Sequence, residues 1–561
     1  MTAIKARFAQ LGFDYTRYRF GLRTGIAACL SLMIAWALGL EHPQWSAMTV
    51  WAVSQPTRGL LLEKAAYRAL GTLLGTVVGM ILVVTAGDHI FTLAIGLTLW
   101  VGLCVYTGNL LHGLIAYGAI LAGYSASMVA LLTRTPDALL PLGIDRLLTV
   151  FVGVLTALLI GWLFTYKRAE QTLVNQLRRQ TAENLKLLAQ AYRTGSHKAL
   201  NSHDRLSKLA HLEAQLIDHG SGSPAAHQSA KTIRRVLNAQ LGLFAQIETK
   251  GVIKSNTISE YLHTLSSSLI KNNANEITTS FKQAMSAFEH PAVLPYFKEF
   301  VDASLQRMQF RETGKAAQSA SPLSILLHRD WRGARQAAIR TIAVMALISI
   351  AWAYTGWFQV AYLLLGASVM LTLFSTAENP AKTMFYVFLG QSAGAALALF
   401  MQAVIWPQMD SMFAMIVTLM PVMLLVGLPL SHNKTANGTM DFTLVFLLLM
   451  QPVLHYQFDS LAAFSIALAV IAAPLLSLVS YRLVFPTNLL SRQQQLMTAL
   501  ENDLSQLSNR QTSSQQLQRY KARLYHRLFK LYQMADKLGT NAQITSAQYL
   551  LRVQHQVSQH E

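Results

Sequence analysis

The chain alternates between long apolar and polar blocks. Residues 22–166 and 333–485 are apolar, whereas 167–330 and 486–561 are polar and basic. Proline- or charge-bearing breaks divide each apolar block into six runs. In the first block these are about 22–40, 45–55, 64–86, 90–107, 110–132 and 144–166. In the second they are about 334–354, 358–375, 382–405, 412–429, 440–456 and 461–485. A bilayer core is about 30 Å thick and a helix rises about 1.5 Å per residue, so most of these runs can cross it. The run from Trp45 to Gln55 reaches only about 16 Å, roughly half the core. Pro56 removes a backbone donor and pushes Gln55 out of helical geometry, so a helix is expected to stop there.

The polar blocks are also helical in pattern. Residues 168–194 and 203–219 place apolar side chains at three-to-four spacing. Gly220-Ser-Gly-Ser-Pro224 is a loop signal between helices. The expected fold is all-α and polytopic: a membrane half at 1–166, a cytoplasmic helical domain at 167–330, a second membrane half at 331–486 and a cytoplasmic helical tail at 487–561. Residues 1–20 lack a short apolar core followed by a small-residue cleavage site, so the first run is expected to remain as a span.

Lys5, Arg7, Arg17 and Arg19 precede the first run and Arg23 lies at its start, and Arg58, Lys64, Arg68, Lys382 and Lys434 fall on the same side. The positive-inside rule therefore places both termini, the insert and the tail in the cytoplasm. Arg134 and Arg146 fall on the outer side, each with an Asp nearby. Lys and Arg beside the spans and in the polar blocks, where the positive-inside rule and anionic lipid place them, account for the net charge of +19. Nucleic-acid binding would need a recognisable module with interleaved aromatics, and the chain has none. A charged fraction of 13% beside 52% hydrophobic residues agrees with a membrane protein. Cys29 and Cys104, the only cysteines, lie in apolar runs and have no metal-type spacing.

The two apolar blocks match in order. Arg23-Thr24 answers Arg340-Thr341, and Trp36-Ala37 answers Trp352-Ala353. Gln55-Pro56 answers Asn379-Pro380, Lys64 answers Lys382, and Gly71 with Gly75 answers Gly390 with Gly394. Six spans per half make the repeat parallel, with a translocation path between the halves.

Three features carry candidate chemistry. Gly71, Gly75, Gly79, Gly390 and Gly394 allow close helix packing. Arg58, Lys64, Arg68 and Lys382 cluster beside the proline breaks, where Gln55 and Asn379 end the short spans. They serve either as orientation signals or, with the helix ends, as a site for carboxylates. Trp51 lies in the short span, placed to stack on a planar ring, whereas Trp45 and Trp357 suit the interfacial belt. Glu378 beside a break and Asp441 at a span start are the candidate proton carriers. No Walker motif occurs, and the insert holds no phosphate loop, metal cluster or nucleophile motif, so neither an enzyme nor a cofactor is expected. The insert's open roles are packing, contact in a homo-oligomer, or regulation.

The stretches PQWSAMTVWAVSQPTRG, KAAYRALGTLLGTVVG and WAYTGWFQVAYLLLGASVMLTLFSTAENPAK resemble the fusaric acid resistance-like, aromatic acid exporter family. So does the order of membrane half, cytoplasmic helical insert, membrane half and tail. The plant malate channels resemble the membrane half more distantly. The resemblance implies a bacterial inner-membrane exporter of small organic anions, above all aromatic carboxylic acids, some members of which work beside a periplasmic adaptor protein. The proton gradient or the membrane potential is the expected drive. A passive anion channel and a membrane-embedded assembly or regulatory protein are the alternatives.

Overall fold

A computed structural model describes residues 7–133, 136–164, 169–196, 203–288, 290–314, 329–452, 457–486, 488–508 and 513–560. Arg134 lies outside the described residues. In the first apolar block the helices are α1 (Tyr15–Ala37), α2 (Gln44–Val53), α3 (Arg58–Ala86), α4 (Ile90–Leu110), α5 (Leu114–Leu132) and α6 (Leu139–Phe164). The insert forms α7 (Ala169–Thr194), α8 (His203–His219), α9 (Pro224–Lys250), α10 (Asn256–Lys271), α11 (Ala274–Ala287) and α12 (Leu294–Thr313). The second apolar block forms α13 (Trp331–Thr355), α14 (Phe358–Leu373), α15 (Pro380–Phe400), α16 (Met412–Leu425), the short α17 (Gly427–Ser431), α18 (Ala436–Leu449) and α19 (Ser460–Leu483). The tail forms α20 (Leu489–Ser508), α21 (Ser514–Leu538) and α22 (Thr540–His560). Among the described residues nine helical stretches are long and apolar enough to cross a bilayer, while α14 and α18 are apolar but shorter. This is an all-α polytopic membrane protein.

Two compact units form: Met1–Tyr166 with Arg329–Asn488, and Lys167–His328 with Leu489–Glu561. In the membrane unit the second element stops at Val53, and Ser54 is already extended at ψ 134°. The chain re-enters helix at Arg58, where the Thr57 hydroxyl accepts from the Leu60 amide. Pro56 thus sits in a short non-helical link that Arg23 reinforces, its Nη2 donating to the Gln55 carbonyl at 2.7 Å. The second half solves the same problem differently. There α14 stops at Leu373, Pro380 takes the first helical position of α15, and the Asn379 side chain caps it by accepting from the Lys382 amide at 3.1 Å. One detail departs from the sequence pattern. The helix that carries the apolar run 64–86 starts earlier than that run: residues 58–63 form the first turns of α3, a continuous helix of 29 residues.

Small residues set the close packing. A Cβ on Gly71, Gly75 or Gly79 of α3 would lie 2.6, 2.6 or 2.8 Å from the carbonyl oxygens of Gly118, Ala122 and Ala126 on α5. Gly390 and Gly394 of α15 meet the backbone of Gly438 and Phe442 on α18 in the same manner. Only glycine lets these helices approach so closely. Two further pairings also come twice. α2 packs on α6 as α14 does on α19, and α3 packs on α6 as α15 does on α19. Across the halves α1 packs on α16 and α17 while α13 packs on α4, and α2 packs on α18 while α14 packs on α5.

The second unit, the polar unit, is built from both polar blocks. Its core joins Leu206, Leu209 and Leu237 of the insert to Leu524, Leu528 and Tyr532 of the tail. Polar groups span the same seam. Glu213 accepts from Arg234 Nε and pairs with His526 Nδ1, each at 3.1 Å, and Lys521 Nζ reaches Glu299 at 2.7 Å.

Candidate functional site

A cavity of about 380 Å³ lies inside the membrane unit, and both halves line it. A volume of this order suits a small ligand. From the first half come Lys64 and Arg68 of α3, Tyr117 and Tyr124 of α5, and Arg146 of α6. The second half supplies Tyr362, Leu365, Val369 and Leu373 of α14, Leu444 and Leu448 of α18, and the polar Gln391, Asn437 and Asp441. The lining cations therefore all come from one half, and most of the opposing wall is apolar.

Local structure explains the cationic wall. Lys64 and Arg68 are four residues apart on α3 and share one helix face. Arg68 is buried, and its Nη1 donates to the phenol oxygens of Tyr117 and Tyr124, both at 3.0 Å. Those acceptors are neutral, so the guanidinium charge is held in position without being cancelled, and its Nε has no hydrogen-bond partner. The Lys64 ammonium lies 5.1 Å from the centre of the Tyr117 ring, within cation–π range.

Arg146 is the residue that the sequence pattern misplaced. It is expected on the outer margin with Asp145 as its neutralising neighbour, but it is only 2% exposed and faces the cavity. Asp145 is engaged elsewhere: its carboxylate accepts from the Glu41 amide and pairs with His42 Nδ1, both at 2.9 Å. The Arg146 guanidinium instead lies 5.2 Å from the centre of the Trp45 ring, and its Nε and Nη1 are buried without a hydrogen-bond partner. Trp45 is correspondingly not a lipid-belt residue. It is 1% exposed and stacks on His42 with ring centroids 4.1 Å apart. The adjacent acid hid this cation in the sequence. The one available signal was an arginine inside an apolar run, a costly placement that marks functional positions.

Asp441 enters the cavity from the second turn of α18, where it is buried and carries no ion pair among the described residues. The remaining sequence candidates lie outside the cavity lining. Arg58 is held at the end of α6, donating to the Trp162 carbonyl with its guanidinium 5.4 Å from the centre of that indole ring. Trp51 is buried in the packing between α2 and its neighbours. Gln55 and Asn379 shape the two breaks, and Glu378 and Lys382 are exposed beside the second. Of the nine candidates, the cavity gathers Lys64, Arg68 and Asp441.

The arrangement can hold a small anion whose charge meets two guanidinium groups and an ammonium while its body rests on apolar and aromatic side chains. Two curated proteins similar to this chain are the p-hydroxybenzoic acid efflux pump subunits AaeB of Yersinia pestis (strain Pestoides F) and Yersinia pseudotuberculosis serotype O:1b (strain IP 31758). Each is 22% identical over 480 residues, spanning 79% of this chain and 72% of the relative. These relatives are named as pump components, not enzymes. The family model for the fusaric acid resistance protein family matches residues 17–557. On that match over nearly its whole length, the chain belongs to the fusaric acid resistance protein family.

Proposed function

We propose that this protein exports aromatic carboxylates across the bacterial inner membrane, and that they pass through the cavity of the membrane unit. The carrying observation is the wall of Lys64, Arg68 and Arg146 facing an otherwise largely apolar cavity. A weak aromatic acid enters a cell in its neutral form, ionises, and is trapped as the anion. The inside-negative potential then favours its exit by about 2.3 kcal/mol per charge per 100 mV. The protein has to supply a path in which the anion meets fixed positive charge and the ring meets apolar surface. The tyrosines and Phe374 take the ring-contacting role expected of Trp51 from its place in the short span.

Asp441 is the proton carrier in this reading, since it is the carboxylate among the cavity-lining residues. Each half contributes six spans, α16 and α17 together forming one of them, and the halves are related by a pseudo-twofold axis along the membrane normal. The helix pairings that recur with the halves exchanged support this. Both termini, the insert and the tail are assigned to the cytoplasm on the distribution of Lys and Arg. The similar Yersinia proteins are named as subunits of a pump, and a periplasmic adaptor is the second subunit proposed here.

The test is efflux of 4-hydroxybenzoate from reconstituted vesicles with the pH gradient and the potential imposed separately. The proposal expects flux that responds to the pH gradient at zero potential. Flux that follows the potential alone would make the protein a passive anion channel. No flux under either gradient would overturn transport altogether.

A further inference from the structure

The polar unit holds a cavity of its own, of about 240 Å³, between α7, α9, α10, α11 and α12. Its apolar wall includes Leu177, Val236, Leu269, Ile277 and Phe281, all of them buried. Three arginines also line it, Arg178 of α7 and Arg307 and Arg311 of α12, with Glu312 the single acid among the lining residues. None of these arginines takes part in an ion pair among the described residues. Neutral acceptors hold two of them. Arg307 Nη1 donates to Ser229 Oγ at 3.0 Å and Thr232 Oγ1 at 3.3 Å, and Arg311 Nη1 donates to Asn272 Oδ1 at 2.8 Å. Asn272 ends α10 in the left-handed region at φ 60°, where the short polar side chain of Asn is tolerated. Burial, and then the charge of Arg311, lower the pKa of Arg307 from its ordinary value, consistent with uncompensated positive charge.

Two hydroxyls complete the lining. Ser304 Oγ is buried without a hydrogen-bond partner, on a residue only 9% exposed. Thr181 Oγ1 accepts from Gln240 Nε2 at 2.8 Å, which leaves its own proton to donate. An orphaned buried hydroxyl costs free energy unless something else satisfies it. Here the orphan lines a cavity with three arginine side chains around it.

We infer that this cavity binds a small carboxylate with an apolar body, its head on Arg307 and Arg311 and its body against Leu177, Leu269 and Phe281. The guanidinium fork matches a carboxylate, and the volume admits one ring or a short acyl chain, not a nucleotide. The ligand class overlaps that proposed for the membrane cavity, and the test separates the two sites.

The full-length protein in lipid nanodiscs is irradiated with 4-azidobenzoate and the adducts are mapped by peptide mass spectrometry. Adducts are expected in peptides covering 174–181 and 304–312. Arg307→Gln and Arg311→Gln should each lower that labelling by about tenfold, the loss of one charge-assisted hydrogen bond. Ser304→Ala should lower it less. Arg68→Gln should lower labelling of the membrane cavity and leave these peptides labelled. Arg311 is exposed, so its replacement leaves the helix packing intact and keeps the test meaningful should Arg307→Gln misfold. Excess benzoate competing where decanoate does not assigns the site to aromatic acids, and the reverse assigns it to acyl chains. Competition by neither, no adducts in these peptides, or labelling unchanged in Arg311→Gln would overturn the inference.

Discussion

Replacing Arg146 with Met separates a binding role from a packing role. The guanidinium is buried, Trp45 covers it, two of its nitrogens lack a hydrogen-bond partner, and Asp145 is committed to His42 and the Glu41 amide. A buried charge left without a partner lowers stability, and replacing buried ionic groups with apolar side chains of similar size is often stabilising by about 1–4 kcal/mol. Met fills much of the arginine volume and retains contact with the indole ring. Arg146→Met is therefore expected to keep or raise the melting temperature of the purified protein. Binding should move the other way. Losing a charge-assisted hydrogen bond to a carboxylate costs about 1.5–3 kcal/mol, a roughly ten- to hundred-fold loss of affinity. Titration calorimetry with 4-hydroxybenzoate on detergent-solubilised protein reads the affinity, and a thermal melt of the same sample reads the stability. Opposite signs support a ligand-facing charge. A lower melting temperature with unchanged affinity would refute the reasoning and make Arg146 a structural residue.

Three other outcomes follow from the geometry. Asp441→Asn should abolish the response of efflux to a pH gradient while potential-driven flux of 4-hydroxybenzoate persists, measured in the same vesicles. Gly75→Ala would place a Cβ 2.6 Å from the Ala122 carbonyl oxygen and 2.7 Å from Ser125 Cβ, so the overpacked α3–α5 contact should cost about 1–3 kcal/mol, read as a lower melting temperature. Burial tends to raise the Glu213 carboxyl, but His526 and Arg234 outweigh it and hold it below its ordinary value, so its stabilising contribution is present above the unfolded carboxylate pKa and is lost as pH falls through the folded one; the melting temperature of the polar unit should drop on acidification in that window, with a shallower drop in Glu213→Gln.

The helices were legible because each is written locally. Apolar runs of sufficient length give the spans, and Pro56 and Pro380 punctuate them at or within a few residues of the breaks. The glycine ladders were legible too, since Gly71-x-x-x-Gly75-x-x-x-Gly79 places small residues on one helix face. The site was legible only in part. Lys64 and Arg68 announce a shared face by their spacing of four, but nothing local says that α5 will supply two phenols to hold Arg68. Arg58 has the same chemistry as Arg68 almost three turns earlier on α3, yet it lies against Trp162, 104 residues away. Arg146 was hidden by an adjacent acid whose real partners lie more than a hundred residues upstream. The joining of insert and tail is likewise long-range: Glu213 and His526 are 313 residues apart, and neither segment's periodicity names its partner.

The central claim is that the membrane cavity is where an aromatic carboxylate binds. The most direct measurement is a cryo-electron microscopy structure of the full-length protein in nanodiscs with 4-iodobenzoate. Density for the ligand is expected inside the cavity, its carboxylate on Lys64, Arg68 and Arg146 and its iodine against the apolar wall of Leu365, Val369 and Leu444. Ligand density elsewhere in the membrane unit, with the cavity empty under saturating 4-iodobenzoate, would contradict it.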